Sequence, residues 1–341
     1  MPRFGLICPI QDREGDLGTL LAQLREEVLA AERAGFDAFF LPELHQTHAG
    51  ALSSPMLVCA WLGSHTTRIR MGPLVLAAPL HDPIRLAEDA LMLDWATGGR
   101  LILGLGVGHV EPDFRLYGRE RSARGRTLDE LIDLLDLTAG GEPFDFEGEV
   151  FARAGQVTPA TLTPGGPVRW IGAHAPAGLR RAAERSAGWI SDPQRHVDVL
   201  APMAEQYRAA ARAAGRPAHV ALFRDGWIGE SREQAEVDWA PHALKLHRLY
   251  YNLGTYLPEF EPWVEQVRER EHFTLDVLAP GRFLLGGPRE VRDLAGDWLE
   301  RTGADYIAIR MRSPTGPGHE AALAAIERFG AEVIGPLSSA D

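Results

Sequence analysis

Cysteine is nearly missing from this chain, with only Cys8 and Cys59 among 341 residues. Both lie inside apolar runs, which excludes a disulfide scaffold and reads them as small core residues. Long apolar runs are missing too. Nothing approaches the roughly 20 apolar residues that a membrane-crossing helix needs, so no span is expected. Basic residues fall short of acidic ones, 35 Lys and Arg against 47 Asp and Glu, a net charge of −12. Such a surface repels DNA and anionic lipid, so neither nucleic acid nor a membrane is an expected partner, and an anionic ligand must be held by local donors. The start, Met1-Pro2-Arg3-Phe4, enters a strand-like run without a signal-peptide core, and a cytoplasmic location is expected. Two motifs are also missing. There is no Gly-x-Ser-x-Gly elbow of an α/β-hydrolase and no Gly-x4-Gly-Lys-Ser/Thr phosphate loop.

What is present is an alternation of short apolar runs with amphipathic helical stretches. Strand-like runs occupy Phe4–Ile10, Phe36–Pro42, Ile69–Ala77, Arg100–Gly106, Pro167–Ala173, Gly188–Asp192, Val220–Ile228 and Ala304–Arg310. Leu17–Ala34 places Leu17, Leu20, Leu21, Leu24, Val28 and Ala31 on one helical face, closed by Gly35. Pro55–Gly63 is apolar nearly all round, and Pro83–Thr97 starts on proline and stops at Gly98-Gly99. Eight strand–helix units are the number that closes a (β/α)8 TIM barrel of the α/β class, with an open doubly wound sheet as the alternative. The reading is one domain over 1–341, with rim insertions at about 140–166 and 254–282.

In a barrel the site lies at the C-terminal ends of the strands. Glu43 and His45 follow the second strand, His81 the third, Gly106-Val107-Gly108-His109 the fourth and His174 the fifth. Imidazoles on one rim suit proton transfer or hydrogen bonding to a planar heterocycle. Gly104-x-Gly106-x-Gly108 is followed by no immediate helix start and no acidic residue at dinucleotide spacing. It therefore reads as close backbone space at the mouth. Glu43-x-His45-x-x-His48 has metal-ligand spacing, but Ile10-Gln11-Asp12 after the first strand lacks the paired histidines of metal-dependent barrels, and no metal is assigned.

Three segments carry a resemblance that covers essentially the whole chain: 34–45 (Ala-Gly-Phe-Asp-Ala-Phe-Phe-Leu-Pro-Glu-Leu-His), 79–89 (Pro-Leu-His-Asp-Pro-Ile-Arg-Leu-Ala-Glu-Asp) and 93–106, with its Gly98-Gly99-Arg100-Leu101 and Gly104-Leu105-Gly106. Asp113–Gly118 and Phe283–Val291 add to it. The sequence resembles the bacterial luciferase-like flavin monooxygenases. That resemblance implies a barrel whose mouth binds FMN, reduced and supplied in trans by a separate flavin reductase, with dioxygen and a small organic molecule as co-substrates. It implies catalytic roles for His45, Glu43 and His109. The flavin would be bordered by Val75, Gly106, Val107, Gly108 and His174, with its phosphate on the backbone of Ala177 and Gly178. It further implies a non-prolyl cis peptide at Leu74–Val75 and a homodimer through helices 55–63 and 83–97. Two family positions differ here: Leu44 replaces a histidine, and Val107 replaces a phosphate-gripping arginine. A deazaflavin-dependent oxidoreductase and a flavin-site-degenerate binding subunit are the alternatives these changes leave.

Overall fold

The computed structural model describes residues 1–9, 16–46, 52–265, 267 and 272–339. Twelve strands are present among them: β1 (Arg3–Ile7), β2 (Ala38–Leu41), β3 (Arg70–Pro73), β4 (Leu76–Ala77), β5 (Ile102–Gly106), β6 (Phe144–Glu147), β7 (Ala152–Gly155), β8 (Val168–Gly172), β9 (Gly188–Ile190), β10 (His219–Ile228), β11 (Phe283–Gly286) and β12 (Tyr306–Arg310). The helices that concern the site and its frame are α1 (Leu17–Arg33), α2 (Pro55–Gly63), α3 (Pro83–Thr97), α4 (Glu111–Leu116), α5 (Arg124–Thr138), α6 (Pro176–Arg185), α7 (Val197–Ala213) and α8 (Arg232–Asn252).

The sheet runs β3-β2-β1-β12-β10-β9-β8-β5-β4, and all of these pairings are parallel. β3 and β4 are two halves of one strand, broken at the Leu74–Val75 peptide, which is cis. A bridge between Met71 and Leu101 brings β3 back to the start of β5 and closes the cylinder. Eight strand positions therefore surround the axis as a (β/α)8 barrel, and the open doubly wound sheet is excluded.

The period-2 alternation of the strands divides two cores. Ile7, Ala38, Phe40, Leu74, Ile102, Trp170, Ile190, Ala221, Tyr306 and Ala308 fill the barrel interior. Their neighbours, such as Leu6, Phe39, Leu103, Ile171, Leu222 and Ile307, pack outward against the helices. Both cysteines are free and buried. α1 shows how the helices dock. Leu20, Leu24, Val28 and Ala31 form its buried stripe, and Asp16 caps it by accepting from the Thr19 N–H at 3.0 Å.

Two elements go beyond the sequence expectation. The 140–166 segment contains the antiparallel β6–β7 hairpin, and β11 extends the outer end of β10 in parallel, pairing 225–228 with 283–286. Asp82 joins the hairpin to the barrel. Its Oδ1 caps α3 by accepting from the Ile84 and Arg85 N–H groups at 3.0 and 3.2 Å, and its Oδ2 accepts from Arg153 at 3.1 Å. Asp82→Ala is expected to cost about 1–2 kcal/mol, seen as a lower denaturation midpoint at unchanged slope.

Candidate active site at the C-terminal mouth

The inner residues of each strand can be followed upward to the mouth. Above Phe40 stands the Pro42–Glu43 turn; above Trp170, Gly172; above Ala221, Phe223 and then Asp225; above Ala308, Arg310. Two apolar side chains near the top of the interior, Val75 and Phe223, pack on the inner core yet keep some accessible surface. Val75 is flanked by glycines: a Cβ on Gly106 would lie 2.8 Å from Val75 Cγ2, and one on Gly172 would lie 3.3 Å from Val75 Cγ1. A Cβ on Gly104 would meet the Pro73 carbonyl oxygen at 2.5 Å. The glycine series thus lets the β3–β4 break press against β5 and β8.

The first polar group gathers on Glu43, whose side chain is buried. Its Oε2 accepts from the Ala77 N–H at 2.6 Å, and its Oε1 lies 2.8 Å from His81 Nε2 and 3.2 Å from His45 Nε2. Burial pushes the Glu43 carboxyl up, but His45, His81 and the Ala77 N–H outweigh it and hold the pKa down at about 2. The same carboxylate raises the His45 pKa above its ordinary value against the opposing effect of burial. His45 Nδ1 is 3.2 Å from the hydroxyl of Tyr117, which stands at the surface.

His109 and His174 form a second group. Each keeps accessible surface, yet each has its pKa lowered, first by desolvation. The charge of Arg121 acts on His109, and Arg195, then Asp192, His109 and Arg124, act on His174. Arg195 is buried; its guanidinium lies 4.8 Å over the Phe260 ring and pairs with Asp192, and its Nε has no partner among the described residues. The start of α6 faces this group. Pro176 occupies its first turn, and the Ala177 and Gly178 N–H groups have no intrahelical acceptor. Asp113 links the two groups: it accepts from Gln46 at 2.8 Å, and its charge acts on both His45 and His109. His48 lies outside the described residues.

A third group lies at the ends of β10 and β12; the sequence places Asp225 and Arg310 after the seventh and eighth strands without a role, and reads Trp227, Tyr250 and Tyr251 as core packing or as the wall of an apolar substrate pocket. Asp225 and Arg310 face each other in register on β10 and β12. Asp225 Oδ1 accepts from Arg310 Nε at 2.6 Å, and Oδ2 accepts from Arg310 Nη2 at 2.8 Å. His247 Nε2, on α8, lies 2.7 Å from the same Oδ2, and its Nδ1 meets the Tyr256 hydroxyl. Arg310 Nη1 donates to the Tyr250 hydroxyl at 2.9 Å. The available signal was strand parity: both residues continue an inward-facing alternation past the last apolar position. Trp227, by contrast, is buried in the outer core, and Tyr251 donates to the Val267 carbonyl at 2.7 Å.

The profile of the luciferase-like monooxygenases matches residues 1–306. The chain belongs to that family. It is 29% identical over 316 residues to a 4-hydroxyprotoasukamycin monooxygenase of Streptomyces nodosus subsp. asukaensis, covering 88% of this chain and 83% of that protein. Among solved structures, the oxygenating constituent of 3,6-diketocamphane monooxygenase from Pseudomonas putida, in complex with FMN, superposes with a TM-score of 0.83 at 18% identity over 98% of both chains. A coenzyme F420-dependent tetrahydromethanopterin reductase from Methanopyrus kandleri superposes with a TM-score of 0.78 at 18% identity, covering 98% of this chain and 99% of that one.

In this luciferase-like chain the two departures have structural counterparts. The Leu44 N–H bonds the Leu52 carbonyl at 3.0 Å. Val107 is partly buried, its side chain packed against the outer core. The cations beside His174 come instead from Arg124 on α5 and Arg195 in the loop after β9. The positive charge beside His174 is thus supplied from elements other than the turn after β5.

Proposed function

We propose that the chain is a flavin-dependent monooxygenase that takes reduced FMN from a separate reductase and uses dioxygen to oxidise a small organic substrate at the barrel mouth. The observation that carries the reading is the buried, unpartnered Arg195 Nε beside His174 and the free N–H groups of Ala177 and Gly178. That donor set is suited to a phosphate in a protein that is acidic overall. Val75, Gly106, Val107 and Gly108 would border the ring above the glycine-lined wall, with His109 at its edge. When bound, reduced flavin supplies the electrons that activate dioxygen.

The protein's own residues divide the remaining work. Glu43 stays ionised at any physiological pH and so positions His45 and His81 rather than donating a proton. His45 carries the proton, and Tyr117 connects its Nδ1 to solvent. Glu43→Gln removes the charge that favours the imidazolium. The His45 limb of a pH–rate profile is therefore expected to move to lower pH; a limb that stays put would assign it to another group.

The reading is tested by anaerobic titration of the full chain with reduced FMN and, in parallel, with a reduced deazaflavin. Saturable FMN binding that weakens by about tenfold or more in Arg195→Ala is expected. Binding of the deazaflavin alone would turn the assignment to a hydride-transfer oxidoreductase, and binding of neither would leave a binding subunit. The protein is also expected to be a homodimer through α2 and α3, where Leu57, Met92 and Trp95 stand exposed. Sedimentation of wild type against Leu57→Glu reads this.

A further inference from the structure

The Asp225–Arg310–Tyr250 group lies across the barrel from Val75. Counting around the cylinder from β1, the β3–β4 strand is third, and β10 and β12 are seventh and eighth. The wall assigned to the flavin and the wall carrying Arg310 are thus opposed; Phe223, on β10, is partly accessible on the Arg310 side, and the Arg310 guanidinium lies 5.0 Å over its ring.

The chemistry of this wall is one-sided. Of the five N–H groups of Arg310, two go to Asp225 and one to Tyr250. One N–H on each of Nη1 and Nη2 remains. The Tyr250 hydroxyl is already an acceptor, and its own O–H has no acceptor among the described residues. Tyr250 is only half-buried. The wall therefore presents three donors against the one remaining lone pair of the Tyr250 oxygen, while the Arg310 charge is cancelled by a buried Asp225 carboxylate. Asp225 is in turn locked by His247 and Tyr256 from α8 and the segment after it.

A neutral pair that offers mostly donors discriminates between ligands. A carboxylate or sulfonate brought here would place a second negative charge beside Asp225 with a single cation to share. A carbonyl oxygen accepts two such donors without adding charge. We propose that this wall recognises the substrate, and that it takes a neutral carbonyl oxygen (of a ketone, enone or quinone) stacked near Phe223, in preference to a carboxylate or sulfonate. The inference rests on the mouth being the active site, and deepens that reading by naming a substrate class.

The test uses the full chain and three probes sharing one ring: acetophenone labelled with carbon-13 at its carbonyl, benzoate and benzenesulfonate. Wild type is expected to bind acetophenone with a downfield displacement of the carbonyl resonance, and neither anion should compete at equal concentration. Tyr250→Phe is expected to weaken acetophenone roughly tenfold and to shrink that displacement, while its thermal midpoint and reduced-FMN affinity stay at the wild-type values. A merely structural Tyr250 would not move the carbonyl resonance. The proposal is overturned if acetophenone does not bind, if either anion binds as tightly, or if Tyr250→Phe leaves the resonance unchanged. Wild type that binds acetophenone as described but not reduced FMN would support the donor wall and count against the cofactor assignment alone.

Discussion

Replacing His45 with glutamine is expected to slow the reoxidation of protein-bound reduced FMN by dioxygen about a hundredfold near neutral pH. That reaction takes up a proton, and His45 is an imidazole at the mouth whose protonated form Glu43 favours. Its Nε2 faces the ionised Glu43, and its Nδ1 reaches the Tyr117 hydroxyl. Glutamine keeps hydrogen-bonding capacity near Glu43 but cannot exchange a proton in this range. The variant should also lose the pH dependence that wild type shows, while its affinity for reduced FMN stays within about threefold, because the donors proposed for the phosphate belong to other elements. Stopped-flow measurement of reoxidation across pH reads both effects. A variant with wild-type rate and pH profile would remove His45 from proton handling and leave it as a spacer under Tyr117.

Asp225→Ala is expected to destabilise the fold by about 3–5 kcal/mol, among the larger single-residue effects in the molecule. The substitution strands the Arg310 cation, which is 8% exposed, and leaves His247, fully buried, without its Nε2 partner. An exposed pair such as Arg289–Asp293 should by comparison contribute less than about 0.5 kcal/mol. Denaturant unfolding of the two variants side by side reads the contrast; equal stability of Asp225→Ala and wild type would mean that Arg310 finds another counter-charge. The pH dependence has a definite sign. Burial raises the Asp225 pKa, but Arg310 and His247 outweigh it and hold the carboxyl below the ordinary range. Its contribution is therefore present above the unfolded value, near pH 4, and is lost as the pH falls through the folded one. Asp225→Ala should have a flatter acid limb of stability than wild type.

Local patterns carried far in this sequence, and non-local pairings did not. All eight barrel positions were legible because each strand is a contiguous apolar run between turn residues, and α2 has the bounds that its Pro55 start and apolar run suggest. The cis peptide followed from the family resemblance, not from any local pattern. The β6–β7 hairpin was not legible: its strands are four residues each, largely exposed, and lie in a segment rich in Gly, Pro and Thr. The four-residue strand β11 escaped notice beside its Gly286-Gly287 stop. At the site, the rim histidines and Glu43 were found from strand ends, but the contacts among them were not. His81 reads as a turn residue until Glu43, 38 positions away, is seen to hold it. Asp225 and Arg310 are 85 positions apart, and no spacing within one element could announce the pair.

A crystal structure of the full chain with FMN tests the central claim most directly. The phosphate is expected against His174, Arg195 and the Ala177–Gly178 backbone, with the ring over Val75 and one face turned toward Phe223 and Arg310. FMN found outside the mouth, or a mouth that stays closed over Val75 at saturating flavin, would contradict it.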